Sequence, residues 1–72
     1  MVGEEIRRLR IKAGISQEDL AERAGLHRTY ISLLERNKRS PTLDTFFRIC
    51  RALNIRAASL VNRIESAEHE DR

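Results

Sequence analysis

The sequence predicts an all-α fold, a compact five-helix bundle, on three observations. No window alternates apolar with polar residues, and only three of 72 residues are aromatic, so strands lack both their period and their preferred side chains. Apolar residues recur instead at spacings of three and four, the mark of a helix with one buried face. Residues that start or stop helices bound each such stretch: Ser16 and Thr42 in front, Gly14, Gly25, Asn37 and Asn54 behind.

The first helix is expected over about residues 3–13, with Ile6 and Leu9 inward, Arg7, Arg8 and Lys12 outward, and Gly14 as its stop. The second opens on Ser16, an N-cap, with Asp19 three residues on to reach back as in a capping box. Ile15 before that cap and Leu20 inside it form a hydrophobic staple, and Leu20, Ala21 and Ala24 make the inner face up to Gly25. The third covers about residues 28–36, with Ile31 and Leu34 inward and Asn37 as a left-handed terminator. Thr42 after Pro41 caps the fourth, whose stripe is Leu43, Phe46, Cys50 and Leu53, with Phe47 and Ile49 on its flanks. The fifth is expected over about residues 57–66, carrying Leu60, Val61 and Ile64. Arg56 is a poor cap for it, so it needs a packing partner.

A chain of 72 residues is one domain and buries only about 60% of the surface its unfolded form exposes. Residues 1–66 form that domain, and residues 67–72 are expected to be a frayed acidic tail. The single cysteine, Cys50, excludes an internal disulfide and a Cys-based zinc cluster, and reads as a small core residue. His27 and His69 are too far apart in sequence to form a local metal pair, so no cofactor is expected. Residues 1–5 contain no apolar run and no stretch is long enough to span a bilayer, which predicts a cytoplasmic protein with no membrane partner.

The net charge is +3, but its distribution matters more. Arg36, Lys38, Arg39, Arg48, Arg51 and Arg56 face one acid, Asp44, in the middle of the chain. Glu65, Glu68, Glu70 and Asp71 dominate the end. Only the middle suits a polyanion. There, the second and third helices are joined by Gly25-Leu26-His27, a turn too short for an antiparallel pair, so they cross at a large angle. Ala21 allows close approach, Gly25 makes the turn and Ile31 packs back, which are the steric needs of a DNA-binding helix-turn-helix.

Over residues 3–64 the chain resembles the Cro/CI-type (XRE) helix-turn-helix family, which implies a lambda-repressor-like DNA-binding domain. The segments S-Q-x-x-L-A, G-L-x-R, Y-I-S-x-x-E-R-N and P-T-L carry the resemblance at the family spacing. The stretch HRTYISLLERNKRS is most similar to controller proteins of restriction–modification systems. The resemblance implies that the third helix enters the major groove with Arg28, Thr29, Ser32 and Leu33 toward the bases. Their chemistry fits: Arg28 can donate twice to guanine, Thr29 and Ser32 can donate or accept, and Leu33 can touch a thymine methyl or pack against Phe47. It also implies that Gln17 contacts phosphate and braces the first residue of that helix. Tyr30, Arg36, Lys38, Arg39 and Ser40 are read as backbone clamps, with Arg39 also within the reach of a base edge in controller-type relatives. Arg10 and Glu35 match a partly buried salt bridge of the family. Glu18 and Glu22 match an acidic patch that touches RNA polymerase in related activators, though a solubilising helix face is the preferred reading. His27 departs from the Ser, Thr or Asp usual at its cap, leaving a phosphate contact, a weak cap and no specific role all open.

One recognition helix reads too few base pairs for useful specificity, so a homodimer on a pseudo-palindromic operator is expected. Ile55, Leu60, Val61 and Ile64 are its expected interface. The resulting expectation is a sequence-specific regulator of transcription, with double-stranded DNA and a second copy as partners and no small-molecule ligand. A phage-type repressor and an antitoxin-like interaction module are the alternatives. An enzyme is not expected, since no nucleophile–base pair, metal constellation or phosphate loop is present.

Overall fold

The computed structural model describes residues 1–70. These fold into five helices: α1 (Val2–Lys12), α2 (Gln17–Ala24), α3 (Arg28–Glu35), α4 (Leu43–Ala52) and α5 (Ala57–Glu70). The Cα radius of gyration is 11.3 Å, as expected for a globular chain of this length.

Four of the helices end by one device. A residue with positive φ follows (Gly14, Gly25, Asn37 and Asn54), and the next amide reaches back five residues to a carbonyl that would otherwise be unpaired. Ile15 bonds Arg10 O at 3.3 Å, Leu26 bonds Ala21 O at 2.8 Å, Lys38 bonds Leu33 O at 2.9 Å and Ile55 bonds Cys50 O at 2.9 Å. Three of those residues are apolar and pack onto the core, so each stop also anchors the following segment. Lys38 is the exception and is exposed.

Helix starts are unequal. Ser16 and Asp19 form the reciprocal capping box: the Ser16 hydroxyl accepts from the Asp19 amide at 3.0 Å, and the Asp19 carboxylate accepts from the Ser16 amide at 3.1 Å. The Thr42 hydroxyl accepts from the Thr45 amide. His27 occupies the cap position of α3 without any side-chain cap bond.

Ile6, Leu20, Ile31, Leu34, Ile49 and Leu60 are fully buried. α3 supplies two of these six and packs on both α1 and α2, so it is held along its inner side. α4 packs on α2 and α5, and α5 also packs on α1. The beginning of α1 approaches the end of α3 closely: the Gly3 amide donates to Asn37 Oδ1 at 3.1 Å, and a Cβ on Gly3 would strike the Leu34 carbonyl oxygen.

Three expectations need correction. Ile49 is fully buried while Leu43 is 70% exposed, so the inner face of α4 is turned toward Ile49, on the arc that α2 and α5 cover together. Leu60, expected at a dimer interface, is fully buried within its own protomer, because α5 lies against α1 and α4 and aims it inward. α5 does not stop at Ser66 but continues to Glu70, since no glycine or proline interrupts it; the rest of the expected frayed tail, residues 71–72, lies outside the described residues.

Candidate nucleic-acid interface

α3 presents two unlike faces. Ile31, Leu34 and Glu35 are buried, while Arg28, Thr29 and Arg36 are exposed and Ser32 and Leu33 are half-buried. Positions 28, 29, 32, 33 and 36 recur at helical spacing, so the four expected base readers and Arg36 form one continuous outward stripe. Arg36 lies back along this stripe, its Nε donating to Ser32 O at 3.3 Å. Lys38, Arg39 and Ser40 are exposed in the connection to α4. The Arg39 guanidinium lies over the half-buried Tyr30 ring, 5.8 Å from its centroid.

The interface has basic groups with no competing acid. Among the described residues, carboxylates pair only with Arg8 and Arg10, so Arg28, Arg36, Lys38 and Arg39 have no carboxylate within salt-bridge distance. Their charge is left for a polyanion. The stop after α3 contributes too, since the position that is apolar at the other three stops is Lys38 here.

The scaffold beneath the stripe is a buried charge network. Arg10 grips Glu35 with Nε to Oε2 at 2.7 Å and Nη2 to Oε1 at 3.0 Å, and its Nη1 donates to Ile15 O at 2.9 Å. The side chains are 12% and 1% exposed. Glu35 holds the Arg10 pKa above its ordinary value through hydrogen bonding, against the opposing effect of burial. Gln17 joins this network, Nε2 donating to Glu35 Oε1 at 3.2 Å. The expected brace from Gln17 to Arg28 is therefore replaced by one to Glu35, because the pair with Arg10 brings that carboxylate oxygen to the start of α2. Glu18 and Glu22 are exposed on α2.

Of the expected dimer residues, Val61 is 49% exposed, whereas Ile55 and Ile64 are half-buried and both pack against the core. Val61 and Ile64 line an apolar groove of about 390 Å³ with Val2, Pro41, Leu43 and Phe46. Sequence reasoning missed Val2 and Leu43 as members of this surface. For Leu43 the signal was its place at the first position of α4, at the edge of the apolar stripe.

A helix-turn-helix family model matches residues 6–60. The chain is 43% identical over 63 residues to the control protein C.SmaI of Serratia marcescens, covering 88% of this chain and 75% of that one. It is 40% identical to the control protein C.BamHI of Bacillus amyloliquefaciens, covering 86% and 78%. Among solved structures, the wild-type restriction–modification controller protein C.Esp1396I superposes with a TM-score of 0.84 at 34% identity, over 90% of this chain and 86% of that one. The controller protein C.AhdI of Aeromonas hydrophila does so with a TM-score of 0.80 at 37% identity, over 82% and 89%. No described helix is long and apolar enough to cross a membrane. By sequence and by fold, the chain belongs to the XRE-type helix-turn-helix family of DNA-binding transcriptional regulators.

Proposed function

We propose that this protein is the controller of a restriction–modification system, acting from the cytoplasm as a homodimer on a pseudo-palindromic operator. The observation that carries the DNA-binding part is the outward stripe of α3 with Arg28 and Arg36 in it and Lys38 and Arg39 beside it, none of which has a carboxylate partner among the described residues. Arg28 reads guanine, Thr29 and Ser32 hydrogen-bond to base edges, and Leu33 meets a thymine methyl. Gln17, Arg36, Lys38, Arg39 and Ser40 hold the phosphate backbone. The apolar groove around Val61 and Leu43 supports the second copy, and the relatives named control proteins support the controller role. Glu18 and Glu22, exposed on α2, solubilise that face and leave it open to RNA polymerase.

The test is selection from a random duplex library with wild type and Arg28→Ala in parallel. A twofold-symmetric site with half-sites about 10 bp apart is expected for wild type. Arg28→Ala relaxes preference at one base pair per half-site, at a cost of about 1–3 kcal/mol. A wild-type protein that enriches nothing, even at low salt where phosphate contacts are strongest, would exclude the reading.

A further inference from the structure

We infer that Tyr30 is a positioning residue, whose ring holds the Arg39 guanidinium in place as a DNA-contacting arm. The inference rests on the reading of α3 and its following loop as the DNA interface. Nine positions separate the two residues, which would be about 13 Å along a continuous helix. The left-handed turn at Asn37 reverses the chain, and the Lys38 amide locks that reversal onto Leu33 O at 2.9 Å. Arg39 is thereby carried back along α3 to 5.8 Å from the Tyr30 ring centroid.

The ring is suited to this. Tyr30 is half-buried and packs against the core cluster, so it is anchored. Arg39 is exposed and, among the described residues, has no carboxylate partner that would otherwise fix it. The ring holds the guanidinium by its charge, and Arg39 makes no side-chain hydrogen bond among the described residues, so its N–H donors remain free. A loop arginine with freely rotating torsions would lose that rotamer freedom on binding. Here much of it is already lost, so less opposes association. This assigns Tyr30 a role that a phosphate-contacting hydroxyl does not need: the aromatic face matters and the hydroxyl does not.

The test measures affinity for the duplex that wild type selects, using Tyr30→Phe, Tyr30→Leu, Arg39→Ala and the combination Tyr30→Leu/Arg39→Ala. Circular dichroism and a melting curve accompany each variant. Tyr30→Phe should bind within twofold of wild type. Tyr30→Leu should weaken binding about two- to fivefold, the value of an exposed cation–π contact, and should cost nothing further once Arg39 is alanine. An equal loss in both backgrounds overturns the inference, as does a loss in Tyr30→Phe matching that in Tyr30→Leu. Should Tyr30→Leu fail to fold, Arg39→Lys keeps the charge but not the flat face: a two- to fivefold loss supports the inference, and wild-type affinity overturns it. The underlying interface reading fails separately, if wild type selects no duplex and Arg39→Ala binds nonspecific duplex at low salt as well as wild type does.

Discussion

The Gln17 amide donates to Glu35 Oε1 at 3.2 Å, tying the first residue of α2 to the last residue of α3. The same oxygen accepts from Arg10 Nη2, so three helices meet at one buried carboxylate. The crossing of the two helices of the motif is thus fixed at both ends, by the Gly25 turn and by this carboxylate.

Glu35→Ala leaves Arg10 nearly buried without its partner, and should lower stability by about 3–5 kcal/mol in urea unfolding. Arg7→Ala removes an exposed arginine of α1 that pairs with no carboxylate among the described residues, and should cost less than about 1 kcal/mol. Similar losses for the two variants would contradict the assignment of Arg10–Glu35 as the structural pair.

Gly3→Ala should destabilise, although alanine is better by about 1 kcal/mol in a helix interior. The added Cβ meets the Leu34 carbonyl, a backbone atom that cannot turn aside, and crowds Asn37 Oδ1. The expected net loss is about 1–3 kcal/mol, read as a lower melting temperature. A variant as stable as wild type would mean that α1 does not approach α3 so closely.

The capping box makes the start of α2 sensitive to acid. Hydrogen bonds from Ser16 hold the Asp19 carboxyl below its ordinary pKa, so its contribution to stability is present above the unfolded-state value and is lost as pH falls through the folded-state value. The gap in melting temperature between wild type and Asp19→Asn should be present at pH 7 and close as the pH falls below about 4. A gap independent of pH would assign the effect to something other than the carboxylate.

Adjacent residues of α5 should behave oppositely. Val61→Glu alters a side chain that is 49% exposed, and should give a folded monomer by light scattering. Leu60→Ala opens the core of each protomer and should cost about 2–5 kcal/mol. A dimeric Val61→Glu protein would move the self-association surface away from this groove.

The motif was legible because its signals are local. Ser16 and Asp19 close a box within four residues, and Gly25 and Asn37 stop helices by backbone conformation alone. The outward stripe from Arg28 to Arg36 follows from the helical period once α3 is placed. Arg10 with Glu35 was legible only through the family resemblance, since nothing local joins residues so far apart in sequence.

The sequence by itself determined five helices, the stops of the first four, the turn between α2 and α3, and the chemistry displayed on the outer face of α3. Each depends on a few neighbouring residues and on torsional preferences that neighbours decide. Tertiary structure alone decided that Leu60 faces inward and Leu43 outward, that Gln17 bonds Glu35, that Gly3 must lack a Cβ, and that Arg39 rests on Tyr30. The period of a helix says which residues share a face, but only the helices packed against it select which part of that face is buried.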